Sequence, residues 1–126
     1  MKLKNSQIQN LHAVLSRLEP LDKPAFVFSG KVRYNIARSL KLLGNVLEVV
    51  ETVRVKMVRE RLKDGQTELV EPARADFIRS FGEVLETESE LTLYPVTVAE
   101  LDLDKNQIPM VLLAELIGKM VVDDKA

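Results

Sequence analysis

The chain has 126 residues, of which 46% are hydrophobic and 29% charged, and its formal net charge is −1. This length and composition predict one soluble globular domain over residues 1–126 and argue against a disordered chain. Because the chain has no cysteine, a disulfide framework and thiolate chemistry are excluded.

The small net charge conceals two oppositely charged halves. Residues 1–63 hold 13 Lys and Arg against 5 Asp and Glu, whereas residues 64–126 hold 5 against 14. The two halves therefore carry +8 and −9. Such a chain can neutralise itself on folding, stack head-to-tail with copies of itself, or offer one charged face to a partner.

A short amphipathic helix is predicted to follow Asn5, its N-cap, and to end before Pro20. Its apolar side chains recur at intervals of three and four residues, at Ile8, Leu11, Leu15 and Leu18. Pro20 ends this helix and opens a loop that reaches to Pro24. Residues 26–28 are expected to form a short extended segment or a hydrophobic staple.

A much longer helical pattern runs from Gly30 to Lys63, and Ser29 is placed to cap it. A helix of this length would extend about 50 Å, whereas a compact domain of this size has a diameter of about 36 Å. The helix must therefore bend, with Gly44 as the weak point, or its overhang must pack against another chain. Alternating residues near its end leave a β-hairpin over residues 53–70 as the alternative.

A third helix is predicted after Glu71, with Pro72 in its first turn. The apolar side chains on its predicted core face are Phe77, Ile78, Phe81, Val84 and Leu85. Its far end opposes the helix dipole and indicates basic neighbours, because it carries an acidic patch. This patch comprises Glu83, Glu86, Glu88 and Glu90.

The remaining residues predict shorter elements and one more helix. Residues 90–95 alternate and predict a short strand or extended connector, and Thr97 with Glu100 forms a capping-box pattern for a single helical turn. An apolar helix is predicted from Met110 to about Val121, with apolar side chains nearly all round. We expect this helix to lie at the centre of the core, packed against the long helix.

Together these patterns predict a mainly α fold, a four-helix single domain with one long central helix and minor extended or β segments. An arrangement of strands and helices that includes the hairpin over residues 53–70 is the alternative. No internal repeat is visible in the chain.

No residue pattern predicts catalysis, a metal site or a cofactor site. The single histidine, His12, has neither cysteine nor a second histidine with which to form a zinc site or a nucleophilic triad. Residues 102–106 resemble the opening of a calcium loop, but Gln107 and Leu113 stand where that loop requires glycine and glutamate. We therefore expect no enzymatic activity, and turn and capping roles for residues 102–106.

The strongest functional candidate is a row of cations along the long helix. The row could follow phosphates, but a pI of about 5.9 and the lack of a recognition-helix or aromatic-platform pattern disfavour nucleic-acid binding. We predict instead that it forms salt bridges within the chain or between chains. This candidate interaction surface comprises Lys31, Arg33, Arg38, Lys41, Arg54, Lys56, Arg59, Arg61 and Lys63.

The order of the segments resembles that of a group of small phage-encoded proteins. The segments that carry the resemblance are Met1–Ile8, Tyr34–Leu40, Asp76–Phe81, Leu93–Leu101 and the final helix led by Ile108 and Pro109. The chain departs from the group at residues 64–67, where the group usually has a longer Gly- and charge-rich loop, and at residues 26–28.

The resemblance implies a phage or prophage protein and supplies no functional residues. It implies a location in a host cytoplasm or a virion. Because the first residues lack an apolar signal core and no apolar run is long enough to span a bilayer, we expect neither secretion by a signal peptide nor a membrane partner.

These observations favour a non-enzymatic protein–protein interaction module, as a virion or assembly component or a self-associating structural protein. Its partner would be another copy of the chain or a phage or host protein. The alternative is a small inhibitor or regulator of a host system. It would mimic nucleic acid through the acidic patch, or bind nucleic acid or nucleotides through the cations.

Overall fold

The computed structural model describes residues 1–19 and 26–122, and within these ranges the protein is mainly α. The helices are α1 (Asn5–Leu18), α2 (Gly30–Arg61), α3 (Ala73–Glu86) and α4 (Met110–Leu116). The strands are β1 (Lys2–Lys4), β2 (Glu88–Glu90), β3 (Val96–Thr97) and β4 (Val121–Val122). The predicted four-helix fold with one long helix is confirmed, whereas the loop predicted between Pro20 and Pro24 lies outside the described residues.

The long helix α2 is continuous from Gly30 to Arg61, so the alternative hairpin over residues 53–70 is wrong. Ser29 caps it as predicted, because its Oγ accepts a hydrogen bond from the backbone N–H of Val32 at 3.3 Å. At 1.5 Å per residue the helix is about 48 Å long. It is therefore longer than the diameter expected of the domain.

Two shorter helices, α1 and α3, pack along different parts of α2. Glu19, just beyond the end of α1, pairs with Arg33 near the start of α2 at 3.4 Å. Arg61, at the end of α2, pairs with Asp76 in the first turn of α3 at 2.8 Å. Both helices thus run antiparallel to α2, and α1 covers its first half while α3 covers its second half.

The hydrophobic core lies between α1, the first half of α2 and the segments that follow β2. The four apolar residues predicted to form the core face of α1 are all buried. The largest fully buried side chains are Ile8, Leu11, Leu15, Leu18, Ile36, Leu43, Leu101, Leu116 and Met120. Because α3 contributes no buried residue, the core extends along α2 only as far as α1 covers it.

Two small sheets join distant parts of the chain. Strand β1 pairs antiparallel with β2, with Lys2 opposite Glu90, and β3 pairs parallel with β4, with Val96 opposite Val121. Of the two predictions for residues 90–95, the strand is wrong and the connector remains, since β3 begins only at Val96 and β2 ends at Glu90. Pairing with the N-terminus, which lies far away in sequence, sets the position of β2.

The residues after β2 are fastened to α2 by buried polar side chains. Ser39 Oγ accepts a hydrogen bond from the backbone N–H of Tyr94 at 3.0 Å and donates to its carbonyl oxygen at 3.4 Å. Asn35 Nδ2 donates to the carbonyl oxygen of Pro95 at 3.4 Å. These bonds satisfy backbone groups that no strand partner reaches.

The prediction that Asn5 caps α1 is wrong. Lys4 holds the cap position, and its backbone N–H donates to Gln7 Oε1 at 2.8 Å. Asn5 is the first helical residue, and its Nδ2 donates to the carbonyl oxygen of Val84 at 2.8 Å. Its Oδ1 accepts from Ser89 Oγ at 3.1 Å. The buried amide therefore joins α1 to the end of α3.

The predicted helix from Met110 to Val121 is shorter and less central than expected. It ends at Leu116, because Gly118 adopts a φ of +84° and turns the chain back toward β4. Its main contact with another helix is with α1. One face is buried, while Met110 and Val111 are 74% and 76% exposed.

Hydrogen bonds also define two connecting segments. Thr97 and Glu100 form the predicted capping box of a 3₁₀ turn, with Thr97 N–H donating to Glu100 Oε1 at 2.9 Å and Glu100 N–H donating to Thr97 Oγ1 at 3.2 Å. Residues 26–28 form no strand. The side chain of Asn106 instead binds both backbone groups of Val27 at 2.8 Å.

Candidate interaction surface

The cations predicted as an interaction surface lie along α2, but they do not form one open row. Four of them pair within the chain: Lys31 with Glu100, Arg33 with Glu19, Arg54 with Glu51 and Arg61 with Asp76. Lys41, Lys56, Arg59 and Lys63 are exposed. Lys56 and Arg59 lie in the last third of α2 and Lys63 lies two residues beyond its end, so the accessible positive charge is concentrated there.

Arg38 has a structural environment that the sequence did not predict. Its guanidinium lies 3.6 Å from the ring centroid of Tyr94 and 4.5 Å from that of Tyr34. Its Nη2 donates to Asn35 Oδ1 at 2.7 Å. Because stacking on aromatic faces stabilises a guanidinium, Arg38 helps to hold residues 91–95 on α2.

Arg61 connects the ends of α2 and α3. Its Nε donates to Asp76 Oδ2 at 2.8 Å, its Nη2 to Ser80 Oγ at 3.3 Å, and its Nη1 to the carbonyl oxygen of Met57 at 3.0 Å. The hydrogen bond from Arg61, with further attraction from Arg79, holds the pKa of Asp76 below its ordinary value of 3.8. Arg61 thus faces α3 with its charge paired.

The acidic patch has the basic neighbours that its position at a helix C-terminus predicts. Glu86 pairs with Lys4 at 2.8 Å, and Glu90 pairs with the terminal amine of Met1 at 2.9 Å. The hydrogen bond that Lys4 donates to Glu86, with the attraction of that carboxylate, raises the pKa of Lys4. Glu83 and Glu88 are exposed. The four carboxylates therefore do not form one free anionic row.

The distal half of the molecule is a helical hairpin, here called the α2–α3 hairpin (residues 51–86). No residue between Val50 and Leu91 is buried, although this stretch contains many large apolar side chains. Two helices that pack along one line can cover only one face of each other. The flanks of that contact remain open to solvent or to a partner.

One flank of the α2–α3 hairpin is apolar on both helices. On α2 it carries Val55, Val58 and Leu62, and on α3 it carries Ile78, Phe81 and Leu85. Each set follows the three-and-four spacing of a helix face. Ile78 is 58% exposed, and the other five are half-buried. These six residues are called the apolar flank below.

The surroundings of the apolar flank differ from those of the opposite side. On α2 it adjoins an open groove of about 380 Å³ between Glu48 and Arg59, which Val55 also lines. The opposite flank of α3 is polar, since it presents the exposed Glu83. An apolar partner would therefore gain more from one flank than from the other.

Sequence reasoning missed the apolar flank for an identifiable reason. The spacing of Ile78, Phe81 and Leu85 predicts a core face of α3, and the alternating residues near the end of α2 indicate an alternative hairpin in place of a helix face. The signal that could have found it is the repeated three-and-four spacing of Val55, Val58 and Leu62.

The other residues considered for chemistry serve the fold. His12 is half-buried in α1, and its Nε2 would lie 3.9 Å from a Cβ placed on Gly44. Asp102 adopts a φ of 50°, and its carbonyl oxygen accepts hydrogen bonds from the N–H groups of Lys105 and Asn106. Residues 102–106 thus form a turn, as predicted. Over residues 1–19 and 26–122, no three His, Asp or Glu side chains are grouped so as to hold a metal ion.

The same described ranges contain no helix long and apolar enough to cross a membrane. Comparison of the chain with protein-family models, with curated proteins and with solved structures found no match.

Proposed function

We propose that the protein is a non-enzymatic protein–protein interaction module that docks through the apolar flank of its α2–α3 hairpin. One observation carries the proposal. Residues 51–90 contain no buried residue, yet they present six apolar side chains on one flank of two packed helices. Exposed apolar patches framed by charged residues are typical of protein–protein interfaces.

The partner in this proposal is a protein that offers a complementary helical surface, either another copy of the chain or a phage or host protein. The setting proposed from the sequence resemblance is a phage, where the module would serve as a virion or assembly component. The alternative role as a nucleic-acid mimic gains less support, because Glu86 and Glu90 are paired within the chain.

The test compares two lysine substitutions on α3. Ile78→Lys places a charge on the apolar flank, whereas Glu83→Lys places one on the polar flank of the same helix. We expect association with protein partners, measured by light scattering and by capture from host lysate or virions, to be lost in the first variant and retained in the second. Both positions are exposed, so both variants should fold.

A protein that is monomeric at every salt concentration and captures no partner would contradict the proposal. Equal capture by wild type and Ile78→Lys would contradict it as well, because the apolar flank would then play no part.

A further inference from the structure

We infer that the apolar flank is covered by the same flank of a second copy of this chain. The two copies would be related by a twofold axis parallel to the helices, so that α2 of each copy lies against α3 of the other. The inference rests on the proposed function, because it names the partner of the same surface.

The two halves of the apolar flank match in height along the hairpin. The contacts of Arg61 with Asp76 and Ser80 set the register between the antiparallel helices α2 and α3. Continued along the helices, this register places Leu62 level with Ile78, Val58 level with Phe81, and Val55 level with Leu85. The flank thus consists of three layers, each with one apolar residue from each helix.

A rotation of 180° about an axis parallel to the helices preserves these layers. It moves α2 over the α3 of the other copy without changing height, so each apolar residue of α2 meets its counterpart from the other chain. A surface that matches itself in this way fits an isologous dimer. The product is a four-helix bundle built from two hairpins, in which every layer gains two more apolar side chains.

Charge favours the same arrangement. The part of α2 in the hairpin, residues 51–61, carries a net +2, and α3, residues 73–86, carries a net −1. A twofold axis along the helices places the cationic end of each α2 beside the anionic α3 of the other copy. An axis across the helices would place α2 on α2 and α3 on α3, which brings like charges together.

Because the chain has no cysteine, single cysteine substitutions can test the arrangement without background. Leu62→Cys is mixed with a tagged Ile78→Cys, and the mixture is oxidised mildly. Because only one of the two variants carries the tag, the mixed disulfide differs in mass from both disulfides between like chains and is resolved on a non-reducing gel. The control mixture is Glu60→Cys with tagged Glu83→Cys, which lie on the opposite flank of the same helices. Light scattering of the unmodified protein gives the mass in solution.

We expect a mass of twice 14.2 kDa. We also expect a mixed disulfide between Leu62→Cys and Ile78→Cys in clear excess over the control mixture. If the protein is a dimer and oxidation mainly joins two Leu62→Cys chains, the arrangement is overturned, because α2 would then lie against α2. A dimer with equal cross-linking in test and control mixtures would overturn it too.

The outcomes also separate this inference from the proposed function. If the wild-type protein is a monomer that captures a protein partner, and Ile78→Lys captures none, the partner is not a second copy of the chain. The proposed function would then still hold. A monomer that captures nothing would overturn both.

Discussion

At the scale of single residues, buried amides do most of the long-range joining. Asn5 links α1 to α3, and Asn106 links the segment before α2 to the 3₁₀ turn. Nothing in the local sequence distinguishes these two asparagines from surface ones, because their partners are backbone groups 79 residues away in the chain. The prediction of Asn5 as an N-cap follows from the common role of asparagine at the position before a helix.

We predict that Asn106→Ala lowers the free energy of unfolding by about 2–4 kcal/mol, because it leaves one buried and two part-buried backbone groups without their hydrogen-bond partner. Those groups are the N–H and carbonyl of Val27 and the carbonyl of Leu101, bound at 2.8, 2.8 and 2.9 Å. Urea unfolding measures the change. The exposed neighbour serves as control, and Gln107→Ala should stay within about 0.5 kcal/mol of wild type. Equal effects of the two substitutions would contradict the prediction.

The pair of Arg61 and Asp76 predicts a dependence on pH. The pKa of Asp76 is lower in the folded protein than its ordinary value of 3.8, so the unfolded chain takes up the proton first as pH falls. The stabilisation from this carboxylate is therefore present at neutral pH and is lost as the pH falls below that value, through the folded pKa. Asp76→Asn should be less stable than wild type at pH 7, and the difference should shrink in that acid range.

Urea unfolding at a series of pH values from 7 to about 3 measures the effect of Asp76→Asn, since the charged form of an ordinary aspartate is lost in this range. The control is Asp64→Asn in the loop after α2, which should alter stability by less than about 0.5 kcal/mol at neutral pH. A difference between wild type and Asp76→Asn that stays constant across the series would show that the charge of Asp76 does not contribute.

At the scale of elements, local spacing predicts helices well but not what covers them. The periodicity of apolar residues predicted α1, α2 and α3, and Ser29, Pro72, Thr97 and Glu100 marked helix or turn boundaries correctly. The end of α4 was predicted too late, because apolar residues continue through β4 and the turn depends on the positive φ of Gly118. Whether an apolar helix is central or peripheral depends on what packs around it.

Two glycines allow a matched test of helix energetics. Gly44 lies inside α2, where a Cβ would meet His12 Nε2 at an ordinary contact distance of 3.9 Å. Gly44→Ala should therefore raise the free energy of unfolding by about 0.5–1 kcal/mol, the usual gain in a helix interior. Gly118→Ala should lower it by about 1–2 kcal/mol, because the backbone there has a φ of +84°.

Thermal or urea unfolding of both variants measures these changes. A destabilised Gly44→Ala variant would contradict the prediction and would show that α2 needs flexibility at this position, as the sequence suggested for a helix of this length.

At the scale of the whole molecule, stability should be distributed unevenly. The core joins α1 to the first half of α2, whereas the α2–α3 hairpin beyond Val50 has no buried residue. Few buried contacts mean that a segment opens at low free-energy cost. The hairpin therefore gains the most from a partner.

We predict that backbone amides of residues 51–86 exchange with deuterium faster than those of residues 8–18 and 36–50 when the protein is dilute. Raising the protein concentration should slow exchange in the hairpin selectively, because association covers the apolar flank. Hydrogen exchange followed by mass spectrometry provides the measurement, and Ile78→Lys is the control in which the concentration dependence should vanish. Uniform exchange along α2 in the dilute protein would contradict the prediction.

The sequence by itself determined the mainly α class, the long helix, the core face of α1 and the caps at Ser29 and Thr97. These features follow from spacings and hydrogen bonds within a few residues, which a linear chain displays directly. The tertiary structure alone decided the pairing of β1 with β2, the position of α4 on α1, the role of Asn5 and the sharing of α2 between α1 and α3. Each of these depends on contacts between residues far apart in the chain. The apolar flank belongs to the same group, because a helix face is recognised as uncovered only when the elements around it are in place.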